Sequence, residues 1–90
     1  MKAPVRFRVL EYMTTVEKAC PDEIMEAMRN EYGTERHFTK KSFIDHAMCL
    51  KANGLLEDAG AELNDSGELI LFYSINEEGK KMVSKYMPNK

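Results

Sequence analysis

A short cluster of basic residues is the part of this sequence best suited to bind phosphate. Arg36, His37, Lys40 and Lys41 lie just before and within a segment that has helical periodicity. Amide groups and the dipole at a helix N-terminus favour negatively charged groups, so the position of the cluster reinforces its charge. The cluster therefore predicts contacts with the phosphates of a nucleic acid.

Polar side chains on the same segment are spaced to share one helix face. By steps of about 100° per residue, the face opposite the apolar positions presents Lys41, Ser42, Asp45, His46 and Cys49. Ser42 and His46 could reach base edges, whereas Asp45 could accept from a cytosine amino group but would repel phosphate. The alternative interpretation is a solvated helix face with no ligand.

The histidines and cysteines could also suggest a metal site. His46 and Cys49 are three residues apart on one helix face, and His37 could lie nearby. A fourth ligand at a recognised spacing is missing, so a surface histidine and a free thiol are the better prediction, with no metal or cofactor. Cys20 and Cys49 lie on different predicted elements and are expected to be reduced.

Catalytic motifs are not recognisable in the sequence. It contains no glycine-rich phosphate loop and no nucleophile in a known turn motif, and its carboxylates fall on predicted solvent-exposed faces. We therefore expect that the protein is not an enzyme.

The helix that carries the basic cluster is predicted from its ends. Thr39 is a good N-cap, and Phe38 before it can pack on Phe43 as a hydrophobic staple. Gly54 supplies the left-handed residue that ends a helix. The inward stripe recurs at four and three residues, as Phe43, Ala47 and Leu50. We predict a helix over residues 39–53.

Two further helices are predicted before the basic cluster. The first spans Pro4 to Val16, and its apolar positions are Val5, Val9, Met13 and Val16. The second begins at Pro21, which suits a first helical position, and ends before Gly33. Its inward positions are Ile24, Ala27 and Met28.

Two strands and a last helix are predicted after residue 54. Leu69 to Ile75 is rich in strand-forming residues, and residues 64–67 before it form a turn cluster. Asn76 can cap a final helix, which Pro88 would close. The predicted order is three helices, two strands and a fourth helix.

This ordered set resembles the winged helix-turn-helix family of small transcriptional regulators. The resemblance spans nearly the whole chain, through residues 5–10, 21–24, 47–57 and 73–79. It implies a mainly α fold with a small antiparallel hairpin (α+β), a recognition helix at 39–53 and a C-terminal dimerisation helix. With 90 residues, the chain is expected to form one domain over residues 1–90.

Charge is distributed unevenly along the chain, whose net charge is −2. From Ala52 to Gly79 there is no Lys, Arg or His. The acidic residues of this stretch are Glu57, Asp58, Glu62, Asp65, Glu68, Glu77 and Glu78. The predicted wing is therefore acidic, which departs from the basic wing of family members that bind DNA. We expect the helix start, and not the wing, to contact phosphate.

Apolar residues exceed what one small core requires. Both faces of Leu69 to Ile75 are largely apolar, so Ile70 and Phe72 are expected to be exposed unless something packs on them. The expected dimer or partner interface comprises Ile70, Phe72, Met82, Val83, Tyr86 and Met87. The alternative is that the terminal helices cover both faces of the hairpin within one chain.

Two functions follow from these observations. The first is a small homodimeric transcriptional regulator that binds double-stranded DNA, with residues 42–49 in the major groove and Arg36, Thr39, Lys40 and Lys41 on the backbone. The alternative is a winged-helix protein-interaction module without DNA binding, which uses its acidic wing and apolar faces. No stretch reaches the apolar length of a membrane span, and a cytoplasmic location is expected.

Overall fold

Four helices and a two-stranded antiparallel hairpin make up the fold. The computed structural model describes residues 4–86. In chain order the elements are α1 (Val5–Met13), α2 (Pro21–Tyr32), α3 (Lys40–Ala52), β1 (Leu56–Leu63), β2 (Leu69–Ile75) and α4 (Glu77–Tyr86). The predicted α+β architecture and the predicted order of its elements are confirmed.

The ends of α3 follow from local chemistry. Thr39 Oγ1 accepts a hydrogen bond of 3.1 Å from the Ser42 amide, as an N-cap does. The rings of Phe38 and Phe43 are 5.4 Å apart and meet edge to face, which confirms the hydrophobic staple. Beyond the helix, Gly54 has a φ of +79°. The predicted start and end of this helix are both confirmed.

The first helix is shorter than predicted. It ends at Met13, and Val16 lies in the following loop. The hydroxyls of Thr14 and Thr15 donate hydrogen bonds of 2.6 Å to the carbonyls of Glu11 and Tyr12. These side-chain bonds satisfy carbonyls of the last turn without further helical residues, which explains the early end.

The starts of α2 and α4 also use side-chain hydrogen bonds. The Cys20 amide before α2 donates to Glu23 Oε1 over 3.1 Å. Asn76 Oδ1 before α4 accepts from the Gly79 amide over 2.8 Å, which confirms Asn76 as a cap. The predicted role of Pro88 in closing α4 lies outside the described residues.

The hairpin is held by its turn and by a link to the helical part. Asn64 Oδ1 accepts from the amides of Ser66 and Glu68, each over 2.9 Å, which fixes the turn between the strands. On β2, Tyr73 exchanges two backbone hydrogen bonds of 2.9 Å with Ala19 in the loop before α2. This bridge anchors the base of the hairpin, and it was not predicted from the sequence.

The core lies between the helices and the base of the hairpin. It is formed by Val9, Leu10, Met13, Ala19, Ile24, Met28, Tyr32, Phe43, Ala47, Leu50, Leu56, Tyr73 and Val83. The predicted inward positions of α3 are all buried. Ala27 was predicted to face inward on α2 but is exposed, because the buried stripe of this helix runs through Ile24, Met28 and Tyr32. Within residues 4–86, no helix is both long and apolar enough to cross a membrane.

Candidate nucleic-acid interface

The basic residues at the start of α3 are exposed. Lys40 Nζ lies 3.4 Å from Asp22 Oδ2 on α2, which partly offsets its charge. Arg36 and Lys41 form no ion pair with any other described residue and remain available to a ligand. Thr39 uses its hydroxyl oxygen as the helix cap, so its side chain has a structural role.

The predicted outward face of α3 divides into two parts. Lys41 and Asp45 are exposed, whereas Ser42, His46 and Cys49 are half-buried. Ser42 Oγ lies 3.1 Å from Thr39 Oγ1, and the Cys49 carbonyl accepts from the Asn53 side chain over 3.0 Å. The half-buried residues are therefore engaged in contacts within the chain. Met48, which lies off the inward stripe of α3, is also exposed.

His46 is held by α1 as well as by its own helix. Arg6 Nε donates a hydrogen bond of 3.1 Å to His46 Nδ1, and the imidazole packs edge to face on Phe43 at 5.2 Å. Burial lowers the pKa of His46, and the positive charge of Arg6 lowers it further. The imidazole is therefore a neutral hydrogen-bond acceptor whose Nδ1 is occupied by α1.

Arg6 is a cationic residue that the sequence did not connect with this site. It lies 40 positions before His46, and only the docking of α1 on α3 brings the two together. Both line a groove of about 440 Å³ between α1, the loop before α3 and the first turns of α3. Its polar lining residues are Arg6, Glu35, His37, Ser42, Asp45 and His46. The groove is therefore lined by both basic and acidic side chains.

The hairpin adds negative charge next to the end of α3. Lys51 Nζ lies 2.9 Å from Asp58 Oδ2 on β1. This hydrogen bond raises the pKa of Lys51, and the negative charge of Asp58 raises it further. The pair neutralises the cation in the last turn of α3, and the remaining acidic residues of the hairpin are exposed. The cations at the start of α3 therefore have no counterpart on the hairpin.

Ile70 and Phe72, whose exposure depends on whether anything packs on them, are half-buried. The loop before α2 pairs with β2 at Tyr73, next to Phe72. Lys18 Nζ from that loop lies 4.8 Å from the centre of the Phe72 ring. The exposed residues of β2 are instead Leu69 and Leu71, on the opposite face.

The predicted interface residues of α4 have different environments. Val83 is buried in the core of the chain and so is not part of an exposed surface. Met82 is half-buried, and Tyr86 is exposed with its ring 5.9 Å from that of Phe7 on α1. Met87 lies outside the described residues.

Potential metal ligands do not converge within residues 4–86. No three His, Cys, Asp or Glu side chains in this range are grouped as ligands of one ion would be. Cys20 is buried at the start of α2, and Cys49 is half-buried on α3, each as a free thiol. Burial raises the pKa of Cys20, which favours its protonated form.

Comparison with known proteins shows similarity in structure but not in sequence. No family model matches the chain, and no curated protein matches its sequence. Its fold is similar to the crystal structure of a proposed transcriptional regulator from Thermoplasma acidophilum, with a TM-score of 0.72 and 16% sequence identity. The match covers 94% of this chain and 78% of that one. At this identity the likeness shows the fold alone: a fold found in a regulator-like protein.

Proposed function

We propose that this protein is a small transcriptional regulator that binds double-stranded DNA with α3 in the major groove. The observation that carries the proposal is the set of exposed cations around the start of α3. They are Arg6, Arg36, Lys40 and Lys41. In winged-helix proteins the corresponding helix enters the groove, and cations beside it contact the phosphates.

We divide the proposed contacts of α3 with the duplex into contacts with the backbone and contacts with bases. Arg36, Lys40 and the amides of the first helical turn contact the backbone, where the helix dipole also favours phosphate. Lys41 and Asp45 are the exposed polar side chains that face bases. Asp45 accepts from a cytosine amino group, so the site prefers a cytosine opposite this position. Ser42 and His46 have a smaller part, because their side chains contact Thr39 and Arg6.

The acidic hairpin limits the strength of binding. Because four cations border the site and the hairpin offers none, few phosphates are neutralised. The logarithm of the binding constant should therefore fall with the logarithm of salt concentration with a slope no steeper than about −4 per protomer. Most of the affinity should arise at the start of α3.

We also propose that the protein acts as a homodimer. Tyr86, Phe7 and Met82 form an apolar surface where α1 and α4 meet. Two protomers joined there would present two copies of α3 to half-sites about one helical turn of DNA apart. Light scattering measures the oligomer directly, and a monomer at all concentrations would remove the half-site geometry. We further propose that it acts in the cytoplasm.

The test of DNA binding is fluorescence anisotropy with a labelled random-sequence duplex. We expect saturable binding at low salt that weakens as salt is added, because counterions released from phosphate drive it. No binding at low salt would contradict the proposal. That result would favour the second candidate function, a protein-interaction module without DNA binding, which the exposed leucines of the hairpin support.

A further inference from the structure

An exposed apolar surface lies between α3 and the outer half of the hairpin. We call it the leucine surface and define it by Met48, Leu63, Leu69 and Leu71. These side chains are 55%, 72%, 64% and 44% exposed, respectively. With Tyr86, they are the large apolar residues most exposed among residues 4–86. Single exposed apolar residues are ordinary, but a contiguous set indicates a binding surface.

The strand register makes the hairpin part of this surface continuous. Leu63 pairs with Leu69, and Ala61 pairs with Leu71. Residues opposite one another in an antiparallel pair point to the same face, so these four side chains form one apolar sheet face. Nearer the base of the hairpin, Tyr73 on the same face is buried in the core. The leucine surface therefore continues the same face of the hairpin past the core, toward the turn between the strands.

The surface is concave because α3 forms its second wall. Met48 and Ala52 on α3, together with Ala61 and Leu71 on the hairpin, line a groove of about 670 Å³. Leu69 and Leu71 continue toward Ile44 along a smaller cavity of about 120 Å³. A groove with one helical wall and one hairpin wall can accept a row of apolar side chains from an amphipathic helix.

The acidic charge of the hairpin indicates the kind of partner. The turn beside the leucines carries Asp65 and Glu68, and the opposite face of the hairpin carries Glu57 and Glu62. No basic residue occurs between Ala52 and Gly79. The two lysines of α3 that line the groove and the smaller cavity are paired, Lys51 with Asp58 and Lys40 with Asp22. This charge repels nucleic acids and anionic membranes and attracts a cationic segment.

A second copy of the chain complements the surface less well. Its own hairpin is equally acidic, and on α4 the Nζ atoms of Lys80 and Lys81 lie 3.7 and 3.6 Å from carboxylates of Glu77 and Glu78. We therefore propose that the leucine surface binds a cationic amphipathic helix of a partner protein. The leucines of this surface lie on the hairpin, outside the residues that we propose to contact DNA.

The proposal is tested with a designed peptide of about five helical turns, with leucines on one face and lysines on the other. The methyl signals of Met48, Leu63, Leu69 and Leu71 in the full-length protein are followed by NMR as the peptide is added. We expect shifts concentrated on these residues, and a matched peptide with glutamate in place of lysine should not cause them. Shifts spread over the whole molecule, or equal binding of the acidic peptide, would overturn the proposal.

Substitutions at exposed positions provide an independent readout. The double variant Leu69→Ser and Leu71→Ser should weaken peptide binding about tenfold or more, since two leucines would no longer be buried. Ala27→Ser changes an exposed apolar residue on α2, away from the groove, and should leave the affinity unchanged. Thermal unfolding of both variants verifies that the fold is intact. Unchanged affinity of the double variant would overturn the proposal.

Two competing occupants give different results in the same experiments. If the wild type self-associates in light scattering and the double leucine variant is a monomer, a second copy occupies the surface and the proposal is wrong. If random-sequence duplex DNA, without peptide, shifts the methyl signals of Leu63, Leu69 and Leu71, the hairpin belongs to the DNA site and the proposal is also wrong. A wild type whose oligomeric state does not depend on these leucines, and whose leucine methyl signals do not respond to DNA, supports it.

Discussion

Arg6 on α1 donates a hydrogen bond of 3.1 Å to Nδ1 of His46 on α3. The bond joins the first helix of the chain to the helix that we propose to enter DNA. It requires a neutral imidazole, because a protonated ring has no lone pair at Nδ1 to accept it. The orientation of His46 and the position of Arg6 beside α3 therefore depend on the same proton.

This dependence predicts a loss of stability in mild acid. The pKa of His46 is lowered in the folded state, so the unfolded chain takes up the proton at higher pH. Above the pKa of histidine in the unfolded chain, about 6.5, the neutral imidazole makes its full contribution to the free energy of unfolding. This contribution decreases as the pH falls below that value toward the pKa of His46 in the folded protein. Urea unfolding at several pH values measures the resulting decrease in the free energy of unfolding.

The control for this prediction is His46→Gln, which can still accept a hydrogen bond from Arg6 but does not titrate. Carboxylates contribute to the pH dependence of both proteins. The difference in unfolding free energy between wild type and variant should therefore isolate His46. If that difference stays constant from about pH 7.5 to about pH 5.5, the proposed dependence on the His46 proton is wrong.

The hydrogen bond that Thr39 accepts at the start of α3 should contribute measurably to the free energy of unfolding. Thr39→Ala removes the acceptor for the Ser42 amide and should lower the free energy of unfolding by about 1 kcal/mol. Thr39→Ser keeps the oxygen and should retain most of the stability. Thr34→Ala, at an exposed position in the loop before α3, serves as the matched control. Equal stability of Thr39→Ala and Thr34→Ala in urea unfolding would contradict the capping role.

Replacing Gly79 with alanine should destabilise the protein, because the added methyl group has no room. In an exposed helix, replacing glycine with alanine is usually favourable by roughly 0.5–1 kcal/mol. At this position the new Cβ would lie 2.4 Å from the Leu55 carbonyl oxygen and 2.6 Å from Ile75 Cγ1. Gly79→Ala should therefore destabilise the protein by about 1–3 kcal/mol.

Thermal or urea unfolding measures this effect, and Ser84→Ala at an exposed position of the same helix is the control. Because the two substitutions both introduce alanine into α4, propensity favours each of them. A stabilised Gly79→Ala variant would show that α4 does not pack this closely against Leu55 and Ile75.

Charge neutralisation at the start of α3 should weaken DNA binding more than the same change elsewhere. Arg36→Gln combined with Lys41→Gln removes two cations that form no ion pair with other described residues. We expect weaker binding of random-sequence duplex and a salt slope shallower by about two. Lys81→Gln combined with Lys85→Gln makes the same charge change on α4 and should have little effect. Equal weakening by both pairs would mean that only net charge matters.

Lys40 is left out of this comparison because its substitution has two consequences. The Nζ atom lies 3.4 Å from Asp22, so replacing Lys40 also changes the contact between α2 and α3. An effect on DNA affinity could then arise from either cause. Arg36 and Lys41 give the clearer result.

The sequence by itself determined the elements and their order. Caps, turn residues and apolar periodicity act between residues a few positions apart, so they can be recognised without the fold. Thr39, Gly54 and Asn76 bound helices as predicted, and the inward stripe of α3 is buried. The same local reasoning located the basic cluster at the start of α3 and the acidic hairpin after it.

Only the tertiary structure decided which surfaces are exposed. Both faces of β2 are apolar, so alternation could not show that Ile70 and Phe72 lie over the loop while Leu69 and Leu71 are open to a partner. Likewise, no local pattern connects Arg6 with His46. Exposure and pairing between distant residues depend on how elements dock. Docking is set by the packing of the whole core, which short-range sequence patterns do not describe.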